Sequence, residues 1–342
     1  WTAPERLALA SLIHGGPRQS LDSYRVLELG CGDGSNLLPM AYFRRQGNFL
    51  GIDGAGSQID IANSRKKSLG LTNIEFIHTD FRTAAEQIEG QFDFIIAHGV
   101  FSWVPHDVRD ALLKLCAEHL RPGGLLYLNY NTKPGWNVRG MVRDFLIAQT
   151  QDASDLTMRA QLAQEVSAKI ASSMIEDDAP YSQLLANEFR FVCENHHSYI
   201  AHEYLAEHNQ SYWRSEFMTL ARDYGLDYVA DADFSYDSGR IDESLAPGLN
   251  NEDITGSSLD NTVDFLCYRQ LHSPILTQSP VTRHAPKDTE FAQLSVASCL
   301  APCASSLTKH PMFQHPSGFE VEAKTEAMRL ALTRLQPLWP RG

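Results

Sequence analysis

Residues 26–34 combine glycines and carboxylates at a spacing that could bind a nucleotide-like cofactor. The run reads Val26-Leu-Glu-Leu-Gly-Cys-Gly-Asp-Gly34, and it lies between a β-type stretch and a helical one. Glycines let the backbone approach a ligand closely and direct helix N-terminal amides at it, which would serve NAD, FAD, a nucleotide or S-adenosylmethionine. The glycine pattern alone therefore leaves several cofactors open.

Three acids around this loop narrow the choice. Glu28 lies only two residues before the first glycine, and the loop is G-x-G-x-G rather than G-x-G-x-x-G. Asp53 ends the next predicted strand, where its carboxylate could accept hydrogen bonds from both hydroxyls of a ribose. Asp80 follows the third predicted strand, where an adenine would lie. The spacing thus predicts a site for an adenosine-containing cofactor.

Together these residues resemble the successive motifs of class I S-adenosylmethionine-dependent methyltransferases, in preference to a Rossmann fold for NAD. In that family the residues matching Glu28, Asp53 and Asp80 bind the methionine end, the ribose and the adenine amino group. The resemblance implies S-adenosylmethionine as cofactor and S-adenosylhomocysteine as product. The cofactor-binding set that it implies is Glu28, Gly30, Cys31, Gly32, Gly34, Asn36, Asp53, Gly54, Gln58, Asp80, Phe81, His98, Gly99 and Trp103.

A closer resemblance comes from segments 92–105, 120–124 and 130–136, and from 202–205 with 209–210 and 216–228. These segments are similar to bacterial methyltransferases that carry a methyltransferase regulatory domain. That group includes the outer-membrane-protein lysine methyltransferases of rickettsial type. The resemblance covers most of residues 3–276, although the lysine-rich composition of the rickettsial enzymes is absent. It implies methyl transfer to protein lysine.

Polar and aromatic side chains at the ends of the fourth and fifth predicted strands are candidates for an acceptor channel, because ligands bind at those ends in open α/β sheets. Methyl transfer needs a neutral nucleophile held in line with the methyl group and no covalent enzyme residue. For the two tryptophans, packing beneath neighbouring helices is an alternative. The channel candidates are His98, Trp103, Asn129, Tyr130, Asn131 and Trp136, and the catalytic candidates among them are His98, Tyr130, Asn131 and Trp136.

Strands and helices that alternate along the first 136 residues predict an α/β fold with a Rossmann-like parallel sheet covered on both faces. Residues 1–136 are interpreted as the cofactor-binding core. The predicted strands are 24–29, 48–52, 74–78, 92–97 and 125–130, and the predicted helices are 35–46, 57–69 and 107–120.

After residue 136 the alternation gives way to helical periodicity. Residues 137–211 are interpreted as a helical insertion that forms a lid or a homodimer surface, with helices at 138–150, 156–174, 181–191 and 199–207. Residues 212–276 would form the regulatory region and closing strands of the core. Residues 277–342 would be a C-terminal segment, part of a further domain or packed on the core, with one amphipathic helix at 321–335.

The net charge also bears on partners. The 342-residue chain carries 42 acidic and 29 basic side chains, and residues 151–275 hold 22 of the acids but 7 of the bases. This sign opposes nucleic-acid binding and suits a cationic acceptor or a solvated surface. No apolar run reaches the roughly 18 residues that a membrane span requires. We therefore expect a cytoplasmic protein without nucleic-acid or membrane partners.

Neither the cysteines nor the histidines predict a metal site. Six cysteines in so long a chain fit free thiols better than a disulfide framework, and the C-x-x-x-C spacing of Cys299 and Cys303 is not a zinc spacing. His202 and Glu203 resemble the start of a zincin motif, but Ala206 stands where its second histidine is required.

Three functions remain open from the sequence. The first is methyl transfer to protein lysine, and the second is the same chemistry on a small-molecule amine or hydroxyl. The third is an inactive S-adenosylmethionine-binding module, against which the intact acids and glycines of the cofactor loop argue.

Overall fold

A computed structural model describes residues 2–174, 179–233 and 257–281, and three short strands nearer the C-terminus. The chain divides into two units, Trp1–His284 and Ala285–Gly342. In the second unit the described strands form one antiparallel sheet, in the order β11-β12-β13. The predicted helix at 321–335 lies outside the described residues except for its first two positions, which belong to β13. These strands are β11 Ala301–Pro302, β12 Met312–Gln314 and β13 Glu320–Glu322.

The first unit contains ten strands and ten α-helices within its described residues. The strands are β1 Tyr24–Leu29, β2 Gly47–Asp53, β3 Ile74–His78, β4 Phe92–Ala97, β5 Leu120–Leu128, β6 Tyr130–Thr132, β7 Ser211–Tyr212, β8 Asp227–Asp231, β9 Leu271–His272 and β10 Pro274–Thr277. The helices are α1 Pro4–Ile13, α2 Leu37–Phe43, α3 Gly56–Leu69, α4 His106–His119, α5 Gly135–Thr150, α6 Leu156–Ser173, α7 Pro180–Glu194, α8 His197–Glu203, α9 Arg214–Asp223 and α10 Ser257–Leu266.

Seven of the strands form one sheet in the order β3-β2-β1-β4-β5-β10-β8. The first five are parallel, and β10 enters antiparallel between β5 and β8. Central strands such as β4 are apolar and buried along most of their length, as expected for a parallel sheet covered on both faces. The predicted α/β Rossmann-like fold is confirmed.

The fifth strand differs from its prediction. The Arg-Pro-Gly-Gly segment at 121–124 was expected to separate helix from strand, yet β5 begins at Leu120, directly after α4. Phe92 pairs with Leu120 and Phe94 with Leu125. More residues of β5 than of β4 lie between these two pairs, so the strand pairing is irregular there. Tyr130, placed by the prediction in the same strand, belongs instead to β6.

The short strand β6 belongs to a second sheet, in the order β7-β6-β9. Asn131 pairs with Ser211 of β7 on one side and with Leu271 of β9 on the other. The end of the segment predicted to hold the closing strands contains two strands, β9 and β10, which Ser273 separates. This small sheet joins the end of the cofactor half to the chain that follows the helices.

Helices α5–α8 account for the segment predicted to be helical. They pack around a core of their own that includes Leu146, Phe189, Val192 and Ile200, each buried. Asp155 begins α6 by accepting the Met158 N–H at 2.9 Å, as an N-cap residue does. The fourth helix is shorter than predicted and ends at Glu203. A lid or dimerisation role for these helices stays a prediction.

A cluster of buried charges connects α10 with β8 and β9. His272 Nε2 lies 2.7 Å from Asp264 Oδ2, and its Nδ1 lies 3.2 Å from Asp231 Oδ2. Arg269 Nε lies 3.0 Å from Asp264 Oδ1. All four side chains are less than a tenth exposed. Each of these buried polar groups therefore depends on its partners for the solvation that water would otherwise provide.

Two negative findings concern the described part of the chain. None of its helices combines the length and the apolar character that crossing a bilayer requires. Nor do three or more His, Cys, Asp or Glu side chains within it cluster in a way that could hold a metal ion. Cys299 and Cys303 lie outside the described residues.

Replacement of Asp264 by Asn should destabilise the protein strongly, because it leaves the buried Arg269 and His272 without their shared carboxylate. We expect the free energy of unfolding to fall by about 3–5 kcal/mol, measured by urea titration. The control is Asp227→Asn, which removes an exposed carboxylate 4.0 Å from Arg222 and should cost less than about 1 kcal/mol. Equal effects of the two variants would contradict a structural role for the cluster.

Candidate active site

The glycine loop after β1 has a backbone that requires glycine. Gly30, Gly32 and Gly34 have φ angles of +76°, +51° and +77°, in the region that favours residues without a Cβ. A Cβ on Gly30 would also lie 2.3 Å from Val100 Cγ2. The Gly30 and Cys31 amides both donate to the Ile52 carbonyl, at 2.8 and 3.0 Å. The loop is thereby fixed against the end of β2.

The carboxylate of Asp53 holds this loop in place. Its Oδ2 accepts the Gly32 N–H at 2.8 Å, and its Oδ1 accepts the Ala55 N–H at 2.7 Å. Asp53 and the exposed Gly54 line a cavity above the loop, whereas Gln58 is exposed on the first turn of α3 and does not line it. The predicted cofactor residues that do not line this cavity are Glu28, Cys31, Gly32, Gly34, Asn36, Gln58 and His98.

Glu28 is a buried carboxyl beside the same loop. Its Oε1 accepts a hydrogen bond from Asn36 Nδ2 at 2.6 Å, and Asn36 Oδ1 in turn accepts one from the Thr2 hydroxyl at 2.9 Å. Glu28 Oε2 has no hydrogen-bond partner among the described residues. Burial raises the pKa of Glu28 to about 7, although the Asn36 hydrogen bond opposes the shift. This oxygen could receive a cationic group.

The cavity above the loop, called here the cofactor cavity, has a volume of about 450 Å³. Of the predicted residues, Gly30, Asp53, Gly54, Asp80, Phe81, Gly99 and Trp103 line it. Arg82, which is not among the predicted residues, also lines it. Arg82 Nε and Nη2 lie 2.9 and 2.7 Å from the two oxygens of Asp80. These hydrogen bonds lower the pKa of Asp80 and engage the carboxylate expected to meet the adenine.

A second cavity of about 620 Å³, called here the acceptor cavity, shares Gly99 and Trp103 with the first. All six predicted channel residues line it. Its lining is His98, Gly99, Ser102, Trp103, Asn129, Tyr130, Asn131, Trp136, Arg139, Tyr199, His202, Glu203, Gln270 and Leu271. The structure therefore brings the predicted channel residues to one cavity that adjoins the cofactor cavity.

Hydrogen bonds fix the polar residues at the strand ends. Asn129 Oδ1 accepts the N–H of Gly99, a residue of the shared wall, at 2.6 Å. His98 Nδ1 lies 2.9 Å from the Tyr127 hydroxyl, and desolvation by the surrounding protein lowers the pKa of His98. A neutral His98 suits a contact to the cofactor better than one to an anion. The backbone N–H of Asn131 donates to the Ser102 hydroxyl at 2.9 Å.

Aromatic rings form much of the acceptor cavity. Trp103 and Trp136 meet edge to face with ring centroids 5.6 Å apart. Tyr130 stacks on Phe217 at 4.0 Å, and the burial of Tyr130 raises its pKa well above the ordinary value. Tyr130 is therefore a neutral residue of the cavity wall, and its catalytic role stays a prediction. The two interpretations of the tryptophans are compatible, since both rings pack under the helices and face the cavity.

Sequence reasoning missed the contribution of α5 and α8 to the acceptor cavity. Arg139 comes from α5, and Tyr199, His202 and Glu203 come from α8. The ring of His202 lies 4.6 Å from that of Trp103. The similarity of residues 202–205 to the regulatory region indicated their importance, but it did not indicate that they line the acceptor cavity.

Comparison with known proteins agrees with this geometry. Residues 26–124 match the family described as a methyltransferase domain, and residues 196–278 match a predicted methyltransferase regulatory domain. The chain therefore contains a class I S-adenosylmethionine-dependent methyltransferase domain. The first match covers the glycine loop and the strands that end at Asp53 and Asp80. The second covers α8, β8 and β10, and thus part of the acceptor cavity.

Relatives occur in Rickettsia. The chain is 35% identical over 234 residues to the uncharacterized protein RP789 of Rickettsia prowazekii, covering 68% of this chain and 42% of the relative. It is 28% identical over 221 residues to RP028 of the same organism, covering 65% and 88%. PKMT2 from Rickettsia typhi in complex with AdoHcy has a similar fold, with a TM-score of 0.78 at 24% identity, covering 98% of this chain and 66% of that one. The chain thus spans less than half of RP789.

The cofactor of this methyltransferase family is S-adenosylmethionine, and the residues of the cofactor cavity fit it. Glu28 lies beside the glycine loop and not in the lining of the cavity, and its oxygen without a partner among the described residues suits the ammonium of the methionine end. The glycine backbone leaves open space beside Gly32, where a Cβ would meet no protein atom within 4 Å. Asp53 lies at the strand end where a ribose is expected. These individual contacts stay predictions.

Replacement of Asp53 by Ala should abolish detectable binding of S-adenosylhomocysteine, because it removes the ribose acceptor and the anchor of the Gly32 amide. Isothermal titration calorimetry measures the change. The matched control is Asp60→Ala, which removes an exposed carboxylate from the neighbouring helix α3 and should leave the affinity within about twofold. Unchanged affinity in the Asp53 variant would refute the assignment of the cofactor cavity.

Cofactor affinity should also depend on the ionisation of Glu28. The carboxylate must be ionised to pair with the cofactor ammonium, and its pKa in the free protein is about 7. Affinity should therefore be about half of its full value at pH 7, approach the full value about one pH unit higher, and decline below pH 7, approaching about tenfold per pH unit. Calorimetry between about pH 5.5 and pH 8.5 tests this. Glu28→Gln should bind more weakly with little pH dependence, and a flat profile for the unaltered protein would exclude the Glu28 contact.

Proposed function

We propose that this chain transfers the methyl group of S-adenosylmethionine to the side-chain amine of lysine residues in proteins. The observation that carries the proposal is the acceptor cavity, which adjoins the cofactor cavity at Gly99 and Trp103. It supplies aromatic rings and a carboxylate, Glu203, as partners for an amine. Aromatic faces attract cations, and a carboxylate attracts an ammonium group. The resemblance to rickettsial-type lysine methyltransferases supports the same acceptor.

The chemistry asks the protein to position a nucleophile. When bound, S-adenosylmethionine supplies an electrophilic methyl group on a sulfonium. Trp103 and Gly99 form the wall where an acceptor and the methyl group would meet, and Asn129 holds the Gly99 backbone in place. The rings of Trp103 and Trp136 exclude water from this wall. Orientation of this kind can supply several kcal/mol of the barrier reduction.

Charge and thiol chemistry add to the proposal. The surplus of acids lies in residues 151–275, which include the helix that lines the acceptor cavity. A basic protein segment would be attracted to such a surface. The cysteines of the described residues, Cys31, Cys116, Cys193 and Cys267, are free thiols. Free thiols suit a reducing compartment, so we place the reaction in the cytoplasm.

Incubation of the protein with methyl-labelled S-adenosylmethionine and a bacterial protein extract tests the acceptor. We expect acid-stable label on protein, recovered as methyl-lysine after complete hydrolysis. The same extract with its lysine amines acetylated should take up no label, and Asp53→Ala should transfer none.

The other outcomes distinguish the remaining hypotheses. Label confined to small molecules would refute the lysine proposal and indicate a small-molecule amine or hydroxyl acceptor. Label on neither fraction, together with tight cofactor binding, would indicate an inactive binding module.

A further inference from the structure

We propose that Glu203, a residue of the regulatory region, binds the acceptor amine in the acceptor cavity and takes its proton. This inference rests on the proposed lysine methylation and deepens it. Glu203 is the last residue of α8 and lies within residues 196–278, which match the regulatory domain. It lines the acceptor cavity together with Trp103, which also borders the cofactor cavity. The regulatory region would therefore act in the reaction itself.

Two of the side chains that line the acceptor cavity are an arginine and a glutamate. Arg139 has an oppositely charged partner, whereas Glu203 has no Lys or Arg partner among the described residues. Arg139 is the guanidinium in the lining, and its Nε lies 3.4 Å from Glu188 Oε2. Its guanidinium also lies over the Phe191 ring at 4.5 Å, so the charge of Arg139 is balanced and covered. In the described part of the chain, no Lys or Arg nitrogen lies within 4.0 Å of the Glu203 carboxylate. The lining thus has one carboxylate without a close cationic partner.

The surroundings of Glu203 favour a cation. Its side chain is 17% exposed, and the neighbouring imidazole of His202 lies 3.9 Å away. Trp103, Trp136 and Tyr199 supply aromatic faces to the same cavity. A carboxylate in a partly buried aromatic pocket attracts an ammonium group more strongly than a carboxylate in water does. Burial raises the pKa of Glu203 to about 7, with Arg139 acting in the opposite direction.

The proton transfer completes the methylation chemistry. A lysine ammonium with a pKa of about 10.4 has no free electron pair near neutral pH. Transfer of one proton to the Glu203 carboxylate leaves a neutral amine. That amine forms the new N–C bond while the S–C bond breaks, and the bonding pair leaves on sulfur as S-adenosylhomocysteine. The product is a methylated ammonium, and the Glu203 proton is released to solvent.

The dependence of kcat/KM on pH tests the role of Glu203. The complex of ionised Glu203 with a lysine ammonium and the complex of protonated Glu203 with a neutral lysine amine hold the same number of protons, so the pH does not change the ratio between them. The unaltered protein should therefore show a plateau between about pH 7 and pH 10. Glu203→Gln can use only free amine, so its kcat/KM should rise about tenfold per pH unit towards pH 10. Its loss should be about 300-fold at pH 7.5 and shrink as the pH rises towards 10.

Other titratable groups share the cavity, so the comparison between variants decides the assignment. These groups are His98, Tyr130, Arg139, Tyr199 and His202. They are present in both proteins and cannot cause a difference between the two profiles. Glu207→Gln is the matched control, because it removes an exposed carboxylate just beyond α8 that does not line the cavity. It should keep the plateau.

The experiment uses the full chain and the lysine peptide that the labelling experiment identifies. Calorimetry should give the same affinity for S-adenosylhomocysteine in the unaltered protein, Glu203→Gln and Glu207→Gln. If Glu203→Gln does not bind S-adenosylhomocysteine, Glu203→Ala takes its place in the comparison. A plateau that persists without the Glu203 carboxylate overturns this inference. Failure of the unaltered protein to methylate any lysine overturns the proposed function instead, so the two failures are distinguishable.

Discussion

Parallel pairing of β1 with β2 and β4 is the constraint on which the rest of the site depends. Leu29 pairs with Ile52, and Glu28 pairs with Ile96, so three strands end at the same edge of the sheet. The glycine loop, Asp53 and His98 follow these ends directly. Because the strands are buried on both faces, their register cannot shift without moving apolar side chains out of the core. The strand ends that carry the glycine loop, Asp53 and His98 are therefore held in place by the sheet itself.

The acceptor cavity is formed largely by elements outside the large parallel sheet. Its floor comes from the strand ends and from the small sheet of β6, β7 and β9, and its far wall comes from α5 and α8. Those helices have a hydrophobic core separate from that of the sheet. The cofactor cavity can thus stay constant while changes in the helices alter the acceptor cavity. A family with one cofactor and many acceptors benefits from this separation.

Local patterns explain what the sequence could predict. The positions of Glu28 and Asp53 follow from short apolar strands and from glycines, which are signals within a few residues of each other. The partner of Asp80 could not be predicted, because Arg82 reaches it through a turn whose geometry the sequence does not reveal. The bulge in β5 was hidden by Pro and Gly at 121–124, which usually end elements. Glu203 was missed because it meets the strand ends only through tertiary packing.

The place of β10 in the sheet has a consequence for synthesis on the ribosome. β10 covers the outer edge of β5, yet roughly 145 residues separate the two strands in the chain. At about 5–20 residues per second, β5 emerges roughly 7–30 s before the strand that covers it. During that interval its backbone amides and carbonyls form an open edge that could pair with another nascent chain. A chaperone that shields this edge would therefore matter more for this topology than for one whose neighbouring strands follow each other in sequence.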